Sequence, residues 1–160
     1  MQFPLCTQLV TRTVDKKRVN RQDAEIAKKE RRNEPGAELD ALAHRVIGAA
    51  IEVHRTLGAG FLESVYEEAM CVELNLRRIP FARQVPVGVE YRGCWVGEAR
   101  LDLMVAGTLV VELKAVESIA PIHVAQILSY LKATKLRLGL LVTFNVGVLH
   151  RGIKRVIWTP

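Results

Sequence analysis

From Leu39 onward the apolar positions recur with a period that changes along the chain. Leu42, Ala43, Val46, Ile47, Ala50 and Ile51 fall three and four apart, the spacing of one face of a helix. Asp40 stands near the start of this run, and Gly58 and Gly60 in "LGAG" punctuate its end. A second helix is predicted from about Phe61 to Leu76, with Leu62, Val65, Ala69, Val72 and Leu76 as its core-facing stripe; Pro80 closes its exit. The period then shortens to two. "RQVPVGVEY" and "CWVGEARLDLMV" read as a hairpin turning at Arg92-Gly93, and "TLVVELKAV" as a third strand. After Pro121, "IHVAQILSYLKAT" returns to helical spacing. "LRLGLLVTF" is a nearly continuous apolar run, as expected of a strand covered on both faces, and "GIKRVIW" is a last strand. The predicted order is α-α-β-β-β-α-β-β, an α/β chain whose β-α-β unit calls for a right-handed crossover.

Residues 1–38 behave differently. "DKKRVNRQDAEIAKKERRNEPGAE" has few large apolar residues and no sustained period. It reads as a basic arm, disordered or weakly helical, that ends at the breaker pair Pro35-Gly36. The expected organisation is therefore an arm over 1–38 and one folded domain over 39–160. A solvated tail, an over-extended start and a nucleic-acid-binding arm all fit the composition of the arm.

The third strand and the one before it carry the chemistry. Side chains alternate faces along a strand. Leu101, Leu103 and Val105 share one face of "ARLDLMV", and Leu109, Val111 and Leu113 share one face of "TLVVELK". Matching these faces puts Asp102, Glu112 and Lys114 together on the other side. A two-residue loop at Ala106-Gly107 would pair Asp102 with Val111 and mix the faces. The parity therefore requires an odd-length loop or a bulge, with Gly107 supplying the unusual backbone angles.

Two carboxylates a few ångströms apart repel, and burial sharpens the repulsion. A lysine offsets one charge, and a divalent cation would offset the rest. Mg²⁺ is held by one or two carboxylates plus waters and substrate phosphates, an arrangement suited to phosphodiester cleavage. The competing account is a solvated sheet face on which Glu112 pairs with Lys114 and Asp102 with Arg100.

Composition narrows the setting. The chain has 160 residues, 49% of them hydrophobic, enough for one domain with a sizeable core. It contains no apolar run of membrane-spanning length, so a cytoplasmic protein without a membrane partner is expected. Cys6, Cys71 and Cys94 are odd in number and widely spaced, which suggests neither a disulfide framework nor a zinc knuckle. The net charge of +6 favours an anionic partner, nucleic acid first.

"IGAAIEVHRTLGAGFLESVYEEAM" resembles the bacterial GxxExxY protein family, whose glycine, glutamate and tyrosine stand here as Gly60, Glu63 and Tyr66. The likeness continues through "VGEARLDLMV", "VVELKAV", "QILSYLKAT" and "LGLLVTFNVGVLHRGIKRVI", so it covers roughly residues 40–157. Position 59 is alanine where many relatives have proline, a difference that touches the turn and not the chemistry.

That family is placed in the PD-(D/E)xK nuclease-like superfamily. The resemblance implies a restriction-endonuclease-like core, a central mixed sheet flanked by helices. It also implies a site. Asp102 matches the family's aspartate, Glu112 and Lys114 its E-x-K, and Glu63 the acidic residue of the preceding helix. Gln126 and Tyr130 match a Q-x-x-x-Y helix motif.

On this reading the chain is a Mg²⁺- or Mn²⁺-dependent nuclease acting on DNA or RNA. Asp102, Glu112 and the Leu113 carbonyl would bind the metal. Glu63 would act through water or at a second ion, Lys114 on the attacking water, and Gln126 on Lys114 or a phosphate. His54, Tyr66 and Tyr130 are candidates for substrate contact. For His54 a helix-capping role is the plainer alternative, and for Tyr66 a place in the core. A homodimer is compatible with this reading. The rival functions are a catalytically silent nucleic-acid- or protein-binding module on the same fold, and an interaction protein whose charged face is only solvated.

Overall fold

The computed structural model describes residues 35–160. The predicted arm lies outside the described residues except for its last four, and two of those, Ala37 and Glu38, already belong to the first helix. The elements are α1 (Ala37–Leu57), α2 (Glu63–Leu76), β1 (Phe81–Tyr91), β2 (Cys94–Val105), β3 (Leu109–Lys114), α3 (Pro121–Thr134), β4 (Leu138–Thr143), a short 3-10 turn (Leu149–Gly152) and β5 (Ile153–Ile157). The order is the predicted one.

The strands form one five-stranded sheet in the order β1-β2-β3-β4-β5. Only β3 and β4 run parallel, joined across α3; the other neighbours are antiparallel. β3 is therefore central, and all of its residues but Lys114 are buried. Strand alternation sorts the core into two layers. Leu109, Val111 and Leu113 of β3 and Leu138, Leu140 and Val142 of β4 pack with α1 and α2. Val110 and Leu141 pack with Ile127 and Leu131 of α3. Gly139 lets α3 settle onto β4: a Cβ there would lie 2.6 Å from the Ile127 Cδ1.

Both predicted turns are present. Tyr91 pairs with Cys94, so Arg92 and Gly93 form a two-residue loop, each with positive φ, as a hairpin of this length demands. Val105 pairs with Leu109, so the second hairpin has a three-residue loop, with Ala106 and Gly107 at positive φ. The odd-length loop that strand parity requires is present.

Two expectations about facing are not. The second helix buries Tyr66, Glu67, Met70, Cys71 and Leu74, whereas Leu62, Val65, Val72 and Leu76 are exposed. Residues 66, 70 and 74 make a second stripe at helical spacing, and this is the one that meets the sheet. Leu101 also departs from Leu103. It packs in the α3 layer, while Leu103 and Val105 pack with α1 and α2. The change of face falls at Asp102 and at Gln84 across from it, where Gln84 takes a φ of 49°. Simple alternation holds only while the backbone stays extended.

Candidate functional site

β2 leaves β3 just where the charges lie. Their pairing runs from Val105↔Leu109 to Leu103↔Val111 and stops. Beyond it, a side chain takes the place of the ladder: the Leu113 N–H donates to Asp102 Oδ2 at 2.8 Å. Within an extended strand a residue's N–H and C=O point to the same side, so the Leu113 carbonyl opens toward the same gap. The site thus arises because one strand turns away and its aspartate stays behind.

Glu112, the residue before Leu113 on β3, is only 1% exposed. Its Oε1 accepts from Lys114 Nζ at 2.7 Å. Its Oε2 is buried and accepts a hydrogen bond from no described group. Lys114 also lies 3.8 Å from Glu63 Oε1, which brings the start of α2 to the end of β3. The solvated-face account fails on both of its pairs. Glu112–Lys114 is enclosed, and Arg100 turns to Glu98 instead of Asp102.

The charges disturb one another. Burial, and then the charge of Asp102, push the Glu112 carboxyl up to about 7 against the pull of Lys114. Burial also raises Asp102, partly offset by the Leu113 N–H and Lys114. Burial alone would lower Lys114, but Glu112, Glu63 and Asp102 outweigh it and hold the ammonium firmly charged.

Glu63 is positioned by a latch that explains the spacing of Gly60, Glu63 and Tyr66. Gly60 has a φ of 110°, in the region that favours glycine. Its N–H donates to Asn145 Oδ1 at 2.9 Å, and Asn145 Nδ2 donates to the Ala115 carbonyl at 2.8 Å. One amide therefore ties the turn before α2 to the residue after Lys114. The Tyr66 hydroxyl donates to the Gly58 carbonyl at 2.8 Å and accepts from the Phe61 N–H at 3.2 Å. Its ring stacks on Phe144, centroids 4.3 Å apart. His54 Nε2 donates to the Val146 carbonyl at 2.8 Å. Three contacts thus fasten the helix pair to the exit of β4, and Glu63 opens its helix beside Lys114.

This placement revises several expected roles. Tyr66 is fully buried and its hydroxyl is spent on backbone, so it is a core latch beyond the reach of substrate. The His54 side chain does not cap its own helix; it braces the loop after β4. Gln126 donates to the Tyr130 hydroxyl at 2.8 Å, so Gln126 is directed along α3 and not at Lys114. Two residues escaped sequence reasoning. Asn145 is the amide clamp, and no local pattern marks a contact that spans 85 residues. Glu67 is a second buried acid near the site, but Arg83 and Gln84 occupy both of its oxygens, which makes it structural.

A family model described as the PD-(D/E)XK nuclease superfamily matches residues 40–156. The chain belongs to that superfamily. The match spans every strand but the last residue of β5, and it agrees with the mixed sheet and its flanking helices. No curated protein and no solved structure matches the chain. Nucleases of this superfamily usually use divalent metals. Among the described residues no three His, Cys, Asp or Glu side chains gather into a ready metal cage. Two carboxylates do fit such an ion. Glu112 Oε2 is a buried acceptor lacking a donor, Asp102 adds a neighbouring charge, and hard oxygen donors of this number suit Mg²⁺ with water and phosphate completing its shell.

Past the ends of β3 and β4 lies a separate cleft of about 460 Å³, lined in part by Glu117, Thr143, Arg151 and Lys154. The candidate carboxylates do not line it. No helix among the described residues is long and apolar enough to cross a membrane.

Proposed function

We propose that this chain is a Mg²⁺- or Mn²⁺-dependent phosphodiesterase that hydrolyses DNA or RNA. The observation that carries the reading is the buried oxygen of Glu112 without a donor, beside Asp102 and Lys114. Asp102 and Glu112, with the Leu113 carbonyl, would hold the cation. A bound divalent ion supplies charge neutralisation at the phosphate and activation of water. Lys114, held charged by three acids, orients the attacking water and stabilises the charge that develops on the phosphate. Glu63, 44% exposed at its side chain, faces the site from α2 and acts through water or on a second ion. The membership of the superfamily and the GxxExxY likeness support this reading, and the net charge of +6 suits a polyanionic substrate.

Asp102→Asn provides the test. Its amide oxygen can keep the Leu113 bond while the charge is lost. Wild type should gain thermal stability on adding Mg²⁺ or Mn²⁺, by the linkage of binding to folding. The variant should gain none, and any cleavage of single- or double-stranded DNA or RNA should disappear with it. Equal shifts in the two proteins would end the metal-site reading. A metal shift in wild type without turnover on any of the four substrates would favour the catalytically silent module.

A further inference from the structure

β3 and β4 run side by side in the same direction, and beyond their carboxyl ends the chains part. One leads into α3, the other through the 3-10 turn into β5. In open α/β sheets a crevice forms where neighbouring connections diverge, and ligands occupy it. Here the crevice is the cleft of about 460 Å³ walled by Glu117, Ser118, Thr143, Arg151 and Lys154. Its volume falls within the roughly 300–1,000 Å³ that suits a small ligand or one unit of a larger one.

The walls are held in place. The Thr143 hydroxyl donates to the Val116 carbonyl and accepts from the Val116 N–H at 3.1 Å, which ties the segment after β3 to the end of β4. Gly152 is pressed against that same end. A Cβ there would strike the Thr143 carbonyl oxygen and lie 3.0 Å from Val146 Cγ2. The turn approaches this closely because position 152 is glycine, and its neighbours Arg151 and Lys154 are thereby brought to the cleft.

Their charges are free. Arg55, Arg77, Arg83, Arg100 and Arg155 each hold a carboxylate. Arg151 and Lys154 are exposed, and among the described residues neither side chain has an ion-pair or hydrogen-bond partner. Glu117 lines the same cleft and joins neither of them, so the three charges sum to +1 across an open space. α3 starts just after this wall and has no acid in its first turn, which adds the positive end of a helix dipole. The complementary ligand is an anion.

The place of the cleft says which anion. Thr143 pairs with Lys114 across the parallel ladder, and Lys154 lies on β5, one strand further on. Strands stand about 4.8 Å apart, so Lys154 is about 10 Å from the line of β3. A nucleic-acid strand advances roughly 3.4 Å per nucleotide. We propose that Arg151 and Lys154 hold in this cleft a phosphate of the bound nucleic-acid strand, about two or three nucleotides from the bond at Lys114. The proposal takes its ligand from the nuclease reading, but it concerns binding, and its test reads binding without cleavage.

Fluorescence anisotropy of the full chain with a labelled single strand of DNA or RNA, about 20 nucleotides long, gives Kd over a range of salt; chelator prevents metal-dependent cleavage. Arg151→Ala and Lys154→Ala should each make the plot of log Kd against log salt shallower by about 0.7, and the double variant by about 1.4. Lys132→Ala, in the last turn of α3 and about 17 Å along the helix from its start, should leave the slope unchanged. All three positions are exposed, so unchanged melting temperatures separate lost binding from lost fold. Cleft variants that keep the wild-type slope, or a Lys132→Ala that loses as much, would overturn the cleft and leave the nuclease reading standing. A lost slope in a protein that never cleaves on adding Mg²⁺ would sustain the cleft and sink the nuclease reading. A wild type that binds no strand overturns the cleft whatever its response to metal. A nucleoside monophosphate bound as tightly as the strand, and lost in the same variants, would assign the cleft to a free nucleotide and overturn the proposal.

Discussion

Replacing Glu112 by Gln removes a carboxyl that the fold holds at a cost, and the effect should depend on pH in a calculable way. The folded carboxyl titrates at about 7 and the free one at 4.5. The difference of 2.5 pH units corresponds to at most about 3 kcal/mol. The sign follows from proton counting. Between these values the native state keeps its proton while the unfolded chain gives it up, so stability falls as pH rises. The loss is complete once both forms are ionised. Metal-free wild type should therefore lose up to about 3 kcal/mol from pH 5 to pH 8 that Glu112→Gln does not lose. For a domain of this size that is roughly 10 °C in melting temperature. Losing the bond to Lys114 offsets the variant's whole curve, since Lys114 is charged throughout this range, and leaves the difference in slope. Melts of both proteins in chelator at half-unit pH steps measure it. Parallel profiles, or a steeper loss in the variant, would refute the account of Glu112 as a strained, desolvated acid. Adding Mg²⁺ should then flatten the wild-type profile and leave that of the variant unchanged.

Lys114→Ala should keep the metal-induced rise in melting temperature but lower turnover by roughly 10²-fold or more, as for a group that acts mainly in the transition state. Removing the lysine also removes what restrains Glu112, so metal binding measured by titration should need a higher pH than in wild type. Tyr66→Phe keeps the stacking on Phe144 but strips the hydroxyl from Gly58 and Phe61. It should cost about 1–2 kcal/mol in denaturant unfolding, and an unchanged midpoint would show that the turn before α2 holds without its latch.

Much of this architecture is legible in the chain because the signals are local. Arg92-Gly93 falls where the alternation reverses, and a two-residue hairpin needs positive φ there. That the loop at Ala106 is odd in length or bulged follows from parity, since an even loop would have put Leu103 opposite the wrong face; its length of three comes only from the pairing of Val105 with Leu109. The second helix carries two apolar stripes, and spacing cannot say which of them meets the sheet. The place of Leu101 was hidden for another reason: the alternation breaks at Gln84 and Asp102, and nothing in "RQV" or "RLD" announces it. Asn145 and His54 were illegible as braces because their partners are far away in sequence, and only the closed sheet brings them near.

The candidate site stood between these cases. Strand parity grouped Asp102, Glu112 and Lys114, but it could not give depth, because the cover over Glu112 comes from elsewhere in the chain. Depth is what changes the argument. An exposed Glu–Lys pair is worth little either way. A glutamate 1% exposed in the central strand, with one oxygen lacking a donor, is a liability to the fold. Apolar side chains of similar volume at 112 and 114 would pack there without that cost, as replacements of buried ion pairs often do. Stability therefore gives no reason for the charge to be there. A bound cation does, because it answers both the unmet oxygen of Glu112 and the repulsion from Asp102. The most expensive residue of the sheet is thus the one that points most directly to a function.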